Sequence, residues 1–203
     1  MNNANLVNQS SGDVEYYTQP EWIEAARRCM GSIELDPASS AIANETVKAD
    51  RFFTINDDGL AQEWKADTLW MNHPFHRGEK ACPKDRKKCK KVKCKRGKNR
   101  RGHHIDHDIP SNMDWIKKLI SEYEAGNVKE AICITFASTS ETWFRELLKY
   151  PQCMPNCRVQ YRKPNGELNN SVTKGSAITY LGPNLDNFVA AFRDLGTIKV
   201  AVL

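Results

Sequence analysis

The sequence predicts an α/β fold, with a mostly parallel central sheet and helices on both of its faces. Strand-like apolar runs alternate with amphipathic helical runs along nearly the whole chain, a pattern typical of parallel strands joined by crossover helices. The chain has 203 residues, of which 40% are hydrophobic and 27% are charged. This composition indicates a globular domain with a core of its own, and no apolar run approaches the roughly 20 residues of a membrane span.

The first half of the chain predicts two helices and two strands. Thr18 and Glu21 have the spacing of a capping box in front of the first helix, which Gly31 ends. Prolines follow both strands and stop them. The elements are a helix over 21–30, a strand over 33–36, a polar helix over about 40–49 and a buried strand over 68–71.

The second half continues the alternation. Ser111 and Asp114 predict a capped helix that ends at Gly126 and has its apolar residues on one face. Binding sites in parallel sheets lie at the carboxyl ends of strands, so the residues after 33–36 and 68–71 are the first candidates for a site. The later elements are a strand over 131–136, a helix over 142–150, a strand over 158–161, a turn at 164–166, a strand over 177–181, a helix over 185–195 and a strand over 198–203.

The positive charge of the chain is concentrated in one segment. Between Arg77 and Arg101 there are 14 basic and 2 acidic residues, whereas the rest of the chain holds 16 basic and 23 acidic residues. We interpret the segment 76–110 as an insertion in a domain that spans 16–203. A basic patch on an acidic body favours a polyanionic partner, most often nucleic acid, and the alternative is a solvated loop that only aids solubility.

The amino-terminal segment and the cysteines bear on the compartment. Residues 1–15 have neither a basic start nor an apolar stretch, so we expect a flexible arm there and no signal peptide. The seven cysteines are an odd number. Together with the lack of an export signal, this number favours reduced thiols and a cytoplasmic location.

Two tetrapeptides at strand ends carry side chains with matching chemistry. In NHPF at 72–75, an amide oxygen and a backbone carbonyl suit the amino group of a flipped-out adenine or cytosine, and the aromatic ring suits stacking on the base. In DPAS at 36–39, the carboxylate suits ammonium or ribose donors of a cofactor, and Asp58 suits an adenine amino group. Each motif alone is weak, because proline turns at strand ends are common.

Several such motifs occur in an ordered series. They are Tyr17-Thr18-x-Pro20, Leu35-Asp36-Pro37-Ala38-Ser39, Asn44, Asp58-Gly59-Leu60, Trp64 and Asn72-x-Pro74-Phe75. In this order and spacing, the chain resembles the phage-type Dam-like DNA adenine methyltransferases, which use S-adenosylmethionine. The resemblance is clear over residues 16–75 and continues more loosely to the end of the chain.

The resemblance implies a Rossmann-like methyltransferase fold and methyl transfer to the N6 amine of a flipped-out adenine in double-stranded DNA. Asn72 and the main-chain carbonyl of His73 would hold the amine beside Pro74, and Phe75 would stack on the base. A phage or prophage origin, in a bacterial host cell, is implied as well. The residues implied to bind S-adenosylmethionine are Thr18, Pro20, Asp36, Pro37, Ser39, Asn44 and Asp58.

The catalytic turn departs from the family pattern at one position. The family usually has Pro-Pro where this chain has His73-Pro74, and often Tyr where it has Phe75. Any residue supplies a main-chain carbonyl, so the expected hydrogen bond to the amine is retained. Phe also keeps an aromatic face that can stack on the base. Two placements of the imidazole stay open, one in contact with the base or a phosphate and one that points away.

The insertion contains a cluster of potential metal ligands. We expect a Cys3His zinc site with His104 as the favoured histidine, because a polar segment of this length has little core of its own. The spacing contains no C-x2-C pair, so a disordered basic loop with incidental thiols stays an alternative. The possible ligands are Cys82, Cys89, Cys94, His103, His104 and His107.

Three functions stay open on the sequence alone. The first is an adenine-N6 DNA methyltransferase, and the second is a cytosine-N4 DNA methyltransferase, because both bases present an exocyclic amine. The third is a DNA-binding module with a catalytically degenerate methyltransferase fold, in which the basic insertion provides the function. We expect double-stranded DNA as the partner and no membrane contact.

Overall fold

The computed structural model describes residues 16–97, 100–163, 166–169, 172 and 174–202. The expected arm at 1–15 lies outside this part of the chain, as does most of the expected turn at 164–166. The helices described are α1 (Pro20–Met30), α2 (Ala41–Val47), α3 (Asn112–Glu124), α4 (Thr142–Arg145) and α5 (Leu185–Phe192). The strands are β1 (Tyr17–Thr18), β2 (Leu35–Asp36), β3 (Arg51–Phe52), β4 (Ala66–Met71), β5 (Arg77–Glu79), β6 (Ile109–Ser111), β7 (Val128–Phe136), β8 (Gln152–Pro155), β9 (Tyr161–Arg162), β10 (Ser176–Leu181) and β11 (Gly196–Lys199).

Seven of these strands form one mixed sheet, in the order β11-β8-β10-β7-β4-β2-β3. The pairs β2–β3, β2–β4 and β4–β7 are parallel. The pairs β7–β10, β10–β8 and β8–β11 are antiparallel. The α/β class is therefore confirmed, whereas the expectation of a mostly parallel sheet is wrong for half of these pairings.

The antiparallel half has a simple cause in the connections. A parallel pair requires a crossover, usually a helix, whereas an antiparallel pair does not. The described residues between β8 and β10 contain no helix. The chain therefore returns in the opposite direction, and β10 lies between β7 and β8 with both of its edges paired antiparallel.

Alternate residues of the central strands face two separate layers of helices. In β4, Trp70 packs into the core that contains residues of α1 and α5, whereas Leu69 and Met71 pack into the core that contains residues of α3 and α4. Successive side chains of a strand point to opposite sides of a sheet, so the two helix pairs cover opposite faces. The expected arrangement of helices on both faces is confirmed.

Several expected elements differ from the structure in position or length. The N-cap of α1 is Gln19, which makes no side-chain capping bond, so the expected capping box of Thr18 and Glu21 is wrong. The expected helix at 142–150 is α-helical only over Thr142–Arg145. Strand β8 has no counterpart in the sequence prediction, because Pro151 precedes it, Pro155 is its last residue, and sheet pairing on both edges decides its conformation.

The insertion leaves and re-enters the domain through the antiparallel pair of β5 and β6. Ser111, at its end, caps α3 through the expected capping box with Asp114. The buried apolar residues that the structure describes inside the insertion are Cys82, Ile105 and Ile109. Such a small core leaves the insertion dependent on other interactions for its stability.

Among the helices of the described part, none is long and apolar enough to cross a membrane.

Replacing Phe188 with Ala is expected to lower the free energy of unfolding by about 3–5 kcal/mol, because it opens a cavity under α5. The Phe188 ring is fully buried and stacks on Tyr180 at a centroid distance of 5.1 Å. Chemical denaturation measures the loss. Leu185→Ala on the same helix, where the side chain is 38% exposed, is the control and should cost much less. Equal losses for the two variants would contradict this packing.

Candidate functional site

A cleft of about 730 Å³ opens at the edge of the sheet where the carboxyl ends of β2, β4 and β7 meet. Its volume lies in the range of small-molecule binding sites. The cleft brings together nine of the residues that the sequence singled out. These are Thr18, Asp36, Pro37, Ser39, Asp58, Asn72, His73, Pro74 and Phe75.

Two expected cofactor residues, Pro20 and Asn44, are not part of the cleft lining. Pro20 occupies the first turn of α1. The Asn44 side chain donates to the carbonyl of Ala49 at 3.1 Å and accepts from its N–H at 2.8 Å. Asn44 therefore ties the end of α2 to the segment that leads into β3.

Asp36 is a buried carboxylate at the end of β2, with 2% of its surface exposed. Burial raises its pKa to about 7, although the hydrogen bond from the Ala38 N–H acts in the opposite direction. The Ala38 N–H donates to Oδ1 at 3.1 Å. No Lys or Arg of the described residues pairs with this carboxylate. A cationic group that entered the cleft would therefore stabilise its charged form.

The loop after β3 gives two neighbouring aspartates different surroundings. The Asp57 carboxylate accepts from the hydroxyl and the N–H of Thr54, both at 2.7 Å, and these bonds lower its pKa. Asp58 lines the cleft and adopts a left-handed backbone conformation, with φ of 51°. At Gly59, an added Cβ would overlap the carbonyl oxygen of Pro37. The close approach of this loop to the Asp-Pro turn thus requires glycine and presents Asp58 to the cleft.

Asn72 follows β4 and is oriented by β1. Its Nδ2 donates to the hydroxyl oxygen of Thr18 at 3.0 Å, and Thr18 is held in place by pairing with Tyr161 of β9. No hydrogen bond to Asn72 Oδ1 occurs among the described residues. The amide therefore presents its acceptor oxygen, and the sequence did not predict this orienting role of Thr18.

The imidazole of His73 is buried, with 2% of the residue exposed. Its Nε2 lies 3.2 Å from Asn112 Oδ1, which also accepts the N–H of His76 at 3.2 Å. The bond from the His76 N–H identifies this Asn112 atom as the amide oxygen, which only accepts hydrogen bonds. The Nε2 atom of His73 must therefore donate and carries the proton. Burial lowers the pKa of His73 to about 4, and the Asn112 bond offsets only part of this effect. The ring is neutral and packs on Phe75 and Trp115.

The half-buried ring of Phe75 packs on Phe136, with 4.4 Å between the ring centroids. Phe136 is the last residue of β7, and the ammonium group of Lys174 lies 4.9 Å from its ring centroid. Both residues line the cleft, and the sequence analysis assigned neither of them to a site. Phe136 was predictable, because it ends a strand, and the neighbouring strand ends directly before Asn72. Lys174 has no such signal, because the sequence around it is polar and has no periodic apolar pattern.

The structure brings Cys82, Cys89, Cys94 and His104 into one cluster, in which all ligand atoms lie within 4.8 Å of one another. The Cys94 sulfur lies 3.4 Å from that of Cys82 and 3.8 Å from that of Cys89. Three thiols and one imidazole at this spacing suit a tetrahedral metal ion such as zinc. These are the four ligands that the sequence favoured, and His103 and His107 are not among them.

Two further contacts hold the sulfur atoms of the cluster. The Ile105 N–H donates to Cys82 Sγ at 3.4 Å, and the Cys82 N–H donates to the Ile105 carbonyl at 2.9 Å. Arg101 donates to Cys94 Sγ at 3.3 Å and makes two hydrogen bonds of 3.0 Å to the Glu79 carboxylate. Burial raises the pKa of Cys82, but hydrogen bonds led by that from Ile105 outweigh it and lower the pKa to about 6. The metal-binding thiolate form is thereby favoured.

No protein-family model, curated protein or solved structure matches this chain.

Asp36→Asn is expected to stabilise the protein without cofactor at pH 8, by about 4 kcal/mol, and to change little at pH 4. In the wild type, the unfolded chain releases this proton above a pKa of 3.8, whereas the folded chain keeps it until about 7. The stability that the protonated carboxyl contributes is thus lost as the pH rises from about 4 to 7. Asparagine does not titrate and avoids this loss.

Denaturant titrations at pH 4, 6 and 8 measure the effect of Asp36→Asn. Asp50→Asn, at an exposed carboxylate, is the matched control and should follow the wild-type pH dependence. If Asp36→Asn also followed the wild type, the buried and unpaired state of Asp36 would be disproved.

Proposed function

We propose that the protein is a DNA methyltransferase that transfers a methyl group from S-adenosylmethionine to the N6 amine of an adenine flipped out of duplex DNA. The observation that carries this proposal is the orientation of Asn72. Thr18 accepts from Nδ2, and Oδ1 is left to accept a hydrogen of a target amine. An amide oxygen, a Pro turn and an aromatic ring at one strand end suit the binding of a flipped-out base through its exocyclic amine.

The buried carboxylate of Asp36 is the observation that supports S-adenosylmethionine as the cofactor. The methionine end of this cofactor carries an ammonium and a sulfonium group, and Asp36 has no basic partner in the described part of the chain. Pro37 and Ser39 would line the same end, and Asp58 would meet the adenine amino group on the other side of the Asp-Pro turn. The donor set and the cleft volume fit this cofactor.

The cofactor supplies an electrophilic methyl group, so the reaction requires no side-chain nucleophile. Asn72 Oδ1 and the main-chain carbonyl of His73 would each accept one amine hydrogen and thereby align the nitrogen for in-line displacement. These oxygens also stabilise the positive charge that develops on the amine. Phe75, supported by Phe136 and by the His73 ring, would stack on the base. The proton leaves to solvent after transfer.

The basic insertion supports duplex DNA as the substrate. Several of its lysine and arginine side chains are exposed and form no ion pair with a described residue, which leaves their charges for phosphates. Phosphate contacts would position the protein on the duplex, whereas the base is read in the cleft. The exposed side chains are Arg77, Lys84, Lys87, Lys90, Lys95, Arg96 and Arg100. A phage- or prophage-encoded enzyme acting in a bacterial cytoplasm is the setting that the sequence resemblance implies.

Methyl transfer from labelled S-adenosylmethionine to unmethylated duplex DNA, followed by nucleoside analysis, tests the proposal. The wild type is expected to form N6-methyladenine, and Asn72→Ala to lose at least about 100-fold in kcat/KM, because it loses the acceptor of the amine. Asn127→Ala, an exposed position at the opposite edge of the sheet, is the control and should retain activity.

Each other product has a defined meaning. N4-methylcytosine would keep the mechanism and replace adenine with cytosine as the target. No methylated base, with S-adenosylmethionine unbound and DNA still bound, would overturn the proposal in favour of a DNA-binding module on a degenerate fold.

We also propose zinc as the ion held by Cys82, Cys89, Cys94 and His104. The purified protein is expected to contain about one zinc per chain, because a Cys3His set completes a tetrahedral structural site. Cys89→Ser should lower the zinc content several-fold, whereas Cys157→Ser, at an exposed cysteine outside the cluster, should not. Elemental analysis after dialysis measures both. Full zinc content in Cys89→Ser would contradict the assignment.

A further inference from the structure

The metal cluster is tied to the wall of the cleft by two separate routes. The first is the backbone pair between Cys82 and Ile105, in which each residue donates to the other. Ile105 lies two residues before His107, and the segment 107–110 lines the cleft. Ile109 in that segment packs in the same small core as Cys82. A change in the position of the cluster residues is therefore transmitted to the cleft wall through only a few residues of the chain.

The second route is a charged one. Arg101 donates to Cys94 Sγ and holds Glu79 through two hydrogen bonds of 3.0 Å, and only 6% of its side chain is exposed. Glu79 ends β5 and is paired in register with Ile109 of the cleft wall. A buried bidentate pair fixes both of its partners in one geometry. Arg101 thus connects one metal ligand to the strand pair that frames the cleft.

The ends of the insertion are bonded to the turn expected to hold the target base, and no such bond joins them to the expected cofactor residues among the described residues. Asn112 accepts from His76 and lies within hydrogen-bonding distance of His73, so the ends of the insertion are joined directly to the NHPF turn. The Asn112 N–H also donates to the His76 carbonyl at 2.7 Å. The expected cofactor residues on β2 and the following loop are held by other bonds, such as that from Ser39 N–H to the Phe53 carbonyl at 2.8 Å.

Charge is divided unevenly within the insertion. Glu79 forms ion pairs with Lys91, Lys93 and Arg101, so its single negative charge offsets part of the positive charge near the cluster. Lys84, Lys87 and Lys90, by contrast, are exposed and have no ion pair with a described residue. The basic side chains nearest the cluster thus organise the insertion, and the exposed lysines carry the charge that faces a polyanion.

We propose that metal binding to the Cys3His cluster assembles the duplex-binding half of the site, so that metal occupancy controls the affinity for DNA and leaves the affinity for the cofactor unchanged. The inference rests on the proposed function for the identity of the duplex and the cofactor. Without the metal, three thiols and an imidazole no longer hold the insertion together. The exposed lysines and the segment 107–110 would then no longer be held in fixed positions relative to each other.

The test compares the zinc-loaded full-length protein with the same protein stripped by a chelator. Duplex binding is followed by fluorescence anisotropy at fixed salt, and S-adenosylmethionine binding by calorimetry. Stripping is expected to weaken duplex binding on the order of tenfold or more, because several phosphate contacts are lost together, and to leave cofactor affinity within about twofold. Re-addition of zinc should restore duplex binding. Unchanged duplex affinity, or a parallel loss of cofactor affinity, would overturn the proposal.

Two sets of variants separate the coupling from a general loss of folding. Arg101→Gln is expected to retain zinc and the visible spectrum of the cobalt-substituted cluster, yet to weaken duplex binding, because it breaks the link to Glu79. Replacing Lys84, Lys87 and Lys90 with Gln should reduce the slope of log affinity against log salt by about 0.9 for each lost phosphate contact. The matched control replaces the exposed Lys65, Lys117 and Lys199 with Gln and should leave the slope unchanged.

The outcomes distinguish this inference from the proposed function. Zinc-dependent duplex binding without formation of any methylated base would sustain the coupling and reject the methyl-transfer proposal. Methyladenine formed at the same rate and the same DNA affinity with and without metal would sustain methyl transfer and reject the coupling. Wild-type affinity and salt dependence in both Arg101→Gln and the insertion lysine variant would also reject it.

Discussion

The parallel pairing of β4 with β2 on one side and with β7 on the other determines where every candidate side chain lies. Leu35 pairs with Leu69 and Met71 with Cys133, so the carboxyl ends of the three strands lie at the same edge of the sheet, and β7 continues past the end of β4 to Phe136. Asp36, Asn72 and Phe136 consequently come to one edge, although they are far apart in sequence. A shift of one residue in this register would move each side chain to the opposite face of the sheet. The cleft thus depends on backbone hydrogen bonds before it depends on any functional side chain.

The cleft retains groups that a fold selected for stability alone would not bury. Asp36 has a carboxylate without a basic partner, and the Nδ1 atom of His73 is buried without a hydrogen-bond partner in the described part of the chain. Asp58 adopts a left-handed conformation that costs a non-glycine residue on the order of 1 kcal/mol. Costs of this kind concentrate at functional sites, where a ligand offsets them on binding. Their position in one cleft supports a ligand site there.

The insertion follows a different stabilising principle from the rest of the domain. The sheet and its helices are held by two large apolar cores, whereas the insertion has a core of a few residues beside four metal-binding groups. A metal ion can replace the missing apolar burial, and a surface freed from that requirement can carry a high density of positive charge. The β5–β6 pair and Asn112 join this surface to the NHPF turn. One domain thereby combines a body with large apolar cores and a charged insertion, which have separate sources of stability.

The sequence by itself determined the α/β class and the apolar pattern on both faces of the central strands. It also determined the capping of α3 by Ser111 and Asp114 and the strand ends that carry Asp36 and Asn72. All of these features depend on local periodicity and turn chemistry. The sequence also favoured the four residues of the cluster through their types and their closeness along the chain. Only the tertiary structure decided the antiparallel half of the sheet, the contact of Thr18 with Asn72, the burial of the His73 ring and the place of Lys174 in the cleft. Those features arise between segments distant in sequence, where strand order and packing act and local residue patterns carry no information.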